Sequence, residues 1–281
     1  MSGRSFRRTE RSGFRLAAAI GAISGIAAAG TLAAGCKKET PAGGAELKVA
    51  AAADLAFAFK DLGDAYTKKT GQPVSFSFGS TGLLAKQISE GAPFEVFAAA
   101  NVSFADDAVK SGACAADTKA MYATGRIVMW TKKGTDPPRT VADLADAKWA
   151  KIAIANPEHA PYGKAAKDAM TRAGVWDKAQ PRVVYGENVQ QTLQFAQSGN
   201  VEVAIVALSL ATVTEGGAFT PIPLEAHERI EQALVACKGK GTAVPDGARR
   251  FVAFVGSEDG RTVMRKYGFL LPGETTAATA K

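Results

Sequence analysis

Apolar positions along this chain change period repeatedly, and each change marks a switch between strand and helix. Val74, Phe76 and Phe78 alternate with polar neighbours, the two-residue period of a strand with one buried face. Gly79 to Gly82 break that run, and Leu84 with Ile88, four residues on, open a helical one. Ser80 and Thr81 therefore stand where a strand turns into a helix N-terminus. Such a corner offers unpaired backbone N–H groups, hydroxyls and the positive end of a helix dipole. It reads either as a seat for an anion or as a plain Ser/Thr N-cap.

The same transition recurs along the chain. Leu47 to Ala53 is an apolar run of strand length, with Asp54 as the expected cap of the helix that follows. Leu55, Ala58, Phe59, Leu62, Ala65 and Tyr66 then repeat at helical spacing up to Gly71. Further strands are predicted at Glu95–Ala99, Arg126–Trp130, Lys151–Ala155, Arg182–Tyr185, Val201–Ala207 and Arg229–Cys237. Helices are predicted over 82–90, 102–110, 141–149 behind Thr140, from about Tyr162 to Arg172, over 189–197 and over 246–267. Phe57, Phe59 and Phe104 read as core. Strands alternating with helices in this way specify an α/β fold with parallel sheets, which hold ligands at the carboxyl ends of their strands. Four strand ends lead directly into helix starts: Asp54, Ser80-Thr81, Tyr162-Gly163 and Asn188-Val189. Two fall in each half of the chain, a repetition that unrelated caps do not explain.

The N-terminal segment follows another pattern. Arg4, Arg7, Arg8, Arg11 and Arg15 precede an uncharged Ala/Gly-rich run from Leu16 to Gly35, ending Leu32-Ala33-Ala34-Gly35-Cys36. Small residues closing on a cleavage-type motif predict a signal peptide over 1–35 rather than a membrane span. Leu-Ala-Ala-Gly-Cys resembles the lipobox of bacterial lipoproteins, which implies acylation of Cys36. The twin arginine Arg7-Arg8 lacks the residues that would make it a twin-arginine export signal. Residues 36–45, with Pro and Gly, suit a tether, and the Thr/Ala-rich tail from Pro272 suits a loose end.

Charge and chemistry narrow the function. The chain of 281 residues carries a formal +7, but removing residues 1–35 leaves 29 basic and 26 acidic residues, a net +3. That balance suits an acidic ligand and gives no sign of nucleic acid. Two histidines, His159 and His227, and no Cys/His cluster argue against a bound metal; His159 reads as a hydrogen-bonding loop residue. Cys114 and Cys237 are compatible with one disulfide in an oxidising compartment, and the sequence leaves the pairing open. No Gly-x-Ser-x-Gly elbow or Gly-x-x-x-x-Gly-Lys loop occurs, and no His accompanies a nucleophile in a known motif, so an enzyme is not indicated.

Several segments resemble the molybdate-binding proteins of ABC importers: Lys48-Val-Ala-Ala-Ala-Ala-Asp-Leu, Phe78-Gly-Ser-Thr-Gly-Leu-Leu-Ala-Lys-Gln-Ile with Gly91-Ala-Pro-Phe, Asn156-Pro-Glu-His-Ala-Pro-Tyr-Gly, Gly186-Glu-Asn-Val and Lys266-Tyr-Gly-Phe. The likeness runs in order through residues 46–272. It implies a two-lobed type II periplasmic binding protein fold, each lobe a mainly parallel sheet flanked by helices, with ligand in the cleft. Lobe 1 would comprise 46–125 and a return segment 238–281, and lobe 2 would comprise 126–237. The resemblance further implies a tetrahedral oxyanion, molybdate or tungstate, held by neutral donors at Asp54, Ser80, Thr81, Tyr162 and Val189. Thr81 would supply the key hydroxyl, and Tyr162 and Val189 their N–H groups. Molybdenum would be present only as the oxyanion, with no cofactor and no catalytic residue. The implied partners are the permease subunits of an ABC transporter. The implied protein is a monomer, exported to the bacterial periplasm or cell envelope and held at the membrane only through Cys36.

Two positions depart from the family pattern. Ala207 stands where a Tyr is frequent, a mild change. Asp54 stands where Ser or Asn is usual, and a carboxylate repels a dianion. Three readings are open: the side chain turns outward and caps its helix; it is protonated and donates; or it accepts the proton of a protonated oxyanion such as phosphate or arsenate. A small organic anion on the same fold would need a larger pocket and normally an Arg clamp, and no Arg falls at the four corners.

Overall fold

A computed structural model of the chain describes residues 44–274. Cys36, the signal segment, most of the tether and the end of the tail lie outside the described residues. The first sheet contains β1 (Leu47–Ala52), β2 (Val74–Gly79), β3 (Val96–Ala99), β4 (Ala120–Gly125) and β10 (Ile230–Ala236), in the order β2-β1-β3-β10-β4. The second contains β5 (Ile127–Lys132), β6 (Ile152–Ala155), β7 (Val183–Gly186), β8 (Val203–Ala207) and β9 (Gly217–Pro221), in the order β7-β6-β8-β5-β9.

The two sheets repeat one plan. In each, three neighbouring strands pair in parallel and one strand arriving from the other lobe, β10 or β5, inserts antiparallel to both its neighbours. Four strands of each sheet thus run one way, and the parallel triplets ending at Ala52, Gly79 and Ala99 in one sheet, and at Ala155, Gly186 and Ala207 in the other, aim at the cleft. The chain crosses between lobes at Arg126 and again over residues 222–229. The second crossing corrects the expected boundary at 237. Strand β10 is hydrogen-bonded between β3 and β4, so lobe 2 ends before it rather than after it.

Helices α1 (Ala58–Thr70), α2 (Thr81–Ser89) and α3 (Val102–Lys110) flank the first sheet with α8 (Asp246–Val255) and α9 (Glu258–Lys266). Helices α4 (Pro161–Arg172), α5 (Trp176–Ala179), α6 (Val189–Gln197) and α7 (Leu208–Ala211) belong to the second. Local chemistry explains their limits. Gly71 ends α1 with φ 74°, a left-handed C-cap that a residue with a Cβ adopts only at a cost. Asn101 accepts from Ser103 N to start α3, and Asn188 accepts from Gln190 N and Gln191 N to start α6. The single helix expected over 246–267 is two, because Gly256 ends α8 and Ser257 caps α9. Asp54 does not cap α1: it sits in a 3₁₀ turn, Ala53–Leu55, and α1 starts only after Phe57.

Strands β4 and β9 were not legible in the pattern; β9 is short and largely exposed, without a buried stripe to betray it. Phe59 is fully buried in an aromatic cluster with Phe76, Tyr122 and Phe251. Phe104 is half-buried against the α2–α3 core, whereas Phe57, expected in the core, is 39% exposed. Cys114 and Cys237 form a disulfide that ties the segment after α3 to the end of β10. Gly163 lets α4 settle on the end of β6, where any Cβ would overlap Ala155 O.

Two outcomes follow for stability. Replacing both cysteines with Ala is expected to lower unfolding free energy in urea by about 2–4 kcal/mol, since the bridge closes a loop of sequence separation 123. Gly163→Ala is expected to cost about 1–3 kcal/mol, as overpacking and backbone shifts do, measured by the same titration.

Candidate anion-binding site

The four corners singled out in the sequence meet at one cavity between the lobes. It is lined by the ends of β1 and β2 with Asp54, Ser80 and Thr81 from lobe 1, and by Ala160 to Tyr162 with Asn188 and Val189 from lobe 2. Asp54, Ser80, Thr81, Tyr162 and Val189, the five residues expected at a site, all line it, and each is at most 3% exposed. The space open to the centre of a water-sized sphere is about 10 Å³, room for roughly one water or a small ion. Among the described residues, Asp54 is the only charged one in the lining, and no Lys, Arg or His contributes.

What the corners offer is set by backbone accounting. The first N–H groups of a helix have no acceptor within the helix. At α6, Asn188 Oδ1 takes the N–H of Gln190 and of Gln191 and Asn188 O takes that of Thr192, which leaves Val189 N–H. At α4, Pro161 has no N–H and Ala160 O takes those of Gly163 and Lys164, which leaves Tyr162 N–H. At α2, His159 O takes Gly82 N–H and Ser80 O takes Leu84 N–H, which leaves the N–H of Thr81, on the cavity wall, and that of Leu83, which does not line it. Three helix N-termini therefore each keep one donor, without an acceptor among the described residues, on a residue that lines the cavity.

The two hydroxyls at the α2 corner differ in availability. Thr81 Oγ1 accepts from Ala100 N at 3.4 Å, so its own proton is free to donate into the cavity. Ser80 Oγ donates to His159 O at 2.8 Å and lies 2.7 Å from His159 Nδ1. Its hydroxyl is therefore committed across the cleft, and His159 is a loop residue that bonds Ser80 rather than part of the cavity wall. Ser80 lacks the capping bond expected of a plain N-cap.

Asp54 is the unusual member. It is 1% exposed and makes no capping bond, which excludes the outward-turned reading. Its Oδ2 accepts from Tyr162 Oη at 2.9 Å and from Gln232 Nε2 at 2.7 Å; Gln232 Nε2 also lies 3.0 Å from Tyr162 Oη, and Gln232 Oε1 accepts from Tyr122 Oη at 2.6 Å. Ser209 Oγ donates to Asp54 O at 2.7 Å. Oδ1 is buried without a partner. Burial raises the Asp54 carboxyl from its usual range to about 6, against the opposing pull of Gln232, Tyr162 and its own backbone N–H.

Sequence reasoning missed Gln232, Tyr122 and Ser209. Gln232 carried a signal: it is a polar residue directly before the apolar run Ala233–Ala236 of β10, and it is fully buried. Tyr162 was selected for its N–H, yet its phenol also matters, since it reaches from α4 across the cleft to Asp54. Gly125, at the first crossing between lobes, makes room for this network, because a Cβ there would overlap Tyr162 Oη. Among the described residues no cluster of His, Cys, Asp and Glu could hold a metal ion, and no helix is long and apolar enough to cross a membrane.

The sequence and the fold both recur among known proteins. Residues 47–270 match the family model described as bacterial extracellular solute-binding protein. The chain is 35% identical over 233 residues to the molybdate-binding protein ModA of Rhodobacter capsulatus, covering 82% of this chain and 90% of that one. It is 30% identical over 246 residues to the putative ABC transporter substrate-binding lipoprotein YvgL of Bacillus subtilis, covering 85% and 93%. The periplasmic molybdate-binding protein of Azotobacter vinelandii superposes with a TM-score of 0.73 at 31% identity, covering 80% of this chain and 99% of that one. The chain belongs to the bacterial extracellular solute-binding protein family, a family of binding proteins rather than enzymes, among relatives named for molybdate.

Proposed function

We propose that this protein captures molybdate, and tungstate with it, in the interlobe cavity and delivers the anion to the permease subunits of an ABC importer. One observation carries the reading: three helix N-termini present the N–H groups of Thr81, Tyr162 and Val189 around a single buried cavity. Each such donor left unmet costs about 1–3 kcal/mol, and an oxyanion meets all three at once while sitting at the positive ends of the helix dipoles. Thr81 Oγ1–H adds a fourth donor. The names of the relatives point to molybdate, and the described lining holds no Arg that would clamp an organic carboxylate.

The remaining parts of the proposal rest on the sequence. Residues 1–35 act as the signal peptide, acylated Cys36 anchors the chain, and residues 36–45 tether a monomeric binding body in the cell envelope. The lipoprotein name of one relative supports the anchor, and the disulfide suits an oxidising compartment. Closure of the lobes on the anion is the signal a permease would read.

A second reading is favoured by one observation, the unpartnered Asp54 Oδ1. Ionised Asp54 about 4 Å from a dianion would cost roughly 8 kcal/mol at an effective dielectric of 20. Phosphate or arsenate, which carry an O–H at neutral pH, could instead donate to that oxygen.

Calorimetric titration of the purified protein with molybdate, tungstate, sulfate, phosphate and arsenate at pH 7.5 separates the readings. Tight binding of molybdate and tungstate is the expected result; preference for phosphate or arsenate would replace it with the second reading. Thr81→Ala is expected to weaken molybdate about tenfold or more, because a buried charge-assisted bond is lost. Unchanged affinity in that variant would remove the Thr81 hydroxyl from the site.

A further inference from the structure

Asp54 is hard to reconcile with a dianion site unless its charge changes on binding, and its surroundings show how that would happen. The two carboxyl oxygens are treated differently. Oδ2 is held by two donors, Tyr162 Oη and Gln232 Nε2, and the glutamine is itself fixed by Tyr122 Oη. Oδ1 has no donor, no acceptor and no water-accessible surface to speak of, on a residue that is 1% exposed and lines the cavity. A carboxyl bound by donors on one oxygen only has one site for a proton, and that site is Oδ1.

Resting on the oxyanion reading above, we propose that Asp54 sets the selectivity of this site by holding one proton in the anion complex. Protonated Oδ1 donates to an oxygen of the bound dianion, and Oδ2 stays with Tyr162 and Gln232. The proton comes from solvent, so each captured dianion brings one proton with it and the site gains one negative charge rather than two. The cluster of neutral N–H donors then faces a neutral carboxylic acid, as it would face the Ser or Asn usual at this corner.

The groups around Asp54 leave the carboxyl as the titrating member. Tyr162 from α4 and Tyr122 from β4 are the ionisable groups bonded into the network, and burial together with the nearby carboxyl pushes both phenols well above 10, so they stay neutral. Ser209 from α7, Gln232 from β10, Thr81 from α2 and Asn188 at the start of α6 do not titrate. His159 touches the site only through Ser80. With its own acidity already weakened to about 6 by burial, the carboxyl needs only the added negative potential of the ligand to remain protonated at neutral pH.

A linked proton gives binding a direction in pH. Free protein binds fewer protons than the complex above pH 6, so affinity must fall as pH rises. Between pH 6.5 and 8.5 the molybdate Kd is expected to weaken about tenfold per unit, the limiting slope for one linked proton. Molybdate is a dianion throughout that range, and sulfate, whose own titration lies far below it, serves as a second probe.

The test is titration calorimetry of the unmodified protein with molybdate at pH 7.5 in buffers of different ionisation enthalpy, which counts protons directly. About one proton taken up per molybdate, falling toward zero at pH 5, is the expected count. Asp54→Asn, which keeps an acceptor for Tyr162 and Gln232, is expected to take up none, to bind with a flat pH profile and to exceed the unmodified protein by about tenfold or more at pH 8.5. Tight molybdate binding with no proton uptake would overturn the inference and leave the proposed function intact. Failure of molybdate, tungstate and sulfate to bind at any pH would overturn both.

Discussion

A buried N–H must have an acceptor, and this structure brings three of them to one place without supplying any. Thr81, Tyr162 and Val189 each stand within the first two positions of a helix, and the early N–H groups of Gly82, Leu84, Gly163, Lys164, Gln190, Gln191 and Thr192 are already engaged by Ser80, His159, Ala160 or Asn188. The rest of the molecule can be understood as the scaffold for that arrangement. Two sheets of the same order point their parallel strands at each other, so the helices that follow start at the cleft and direct their positive ends into it. Among the described residues the lining holds no Lys or Arg, so the donors it offers are fixed dipoles rather than mobile charges.

The cleft is also crossed by side-chain bonds. Ser80 reaches His159 O, Tyr162 reaches Asp54 and Ser209 reaches Asp54 O, each joining one lobe to the other. Gly82 N–H to His159 O adds a backbone link. These bonds lie beside the cavity, so Ser80, Tyr162 and Asp54 both join the lobes and line the space between them. Asp54 takes part in two of the three, which gives a reason for an acid at a corner where it would otherwise be costly. It gives up neutrality in the sequence and gains Tyr162 and Gln232 as partners in the fold.

Much of this was legible in the sequence because strand-to-helix corners leave a local signature. The switch from a period of two at Val74–Phe78 to a helical period at Leu84 located Ser80 and Thr81, and Pro161 with Gly163 marked the start of α4. Those signals depend only on neighbours in the chain. Gln232 and Tyr122 contribute through contacts 178 and 110 positions away, to Asp54 and to each other, and no local pattern reports a partner at that distance. The lobe boundary at 237 failed for a related reason. The run at 230–236 is a good strand wherever it pairs, and only its register against β3 and β4 assigns it to the first sheet. The orientation of Asp54 was also out of reach, because capping and burial both suit an Asp before a helix.

A crystal structure of the protein grown with molybdate would show where the anion sits, since molybdenum is located by its anomalous scattering. One molybdenum is expected in the cavity, with oxygens about 2.7–3.1 Å from the N–H nitrogens of Thr81, Tyr162 and Val189. Molybdenum bound elsewhere, or in the cleft but held by a Lys or Arg side chain in place of those three amides, would contradict it.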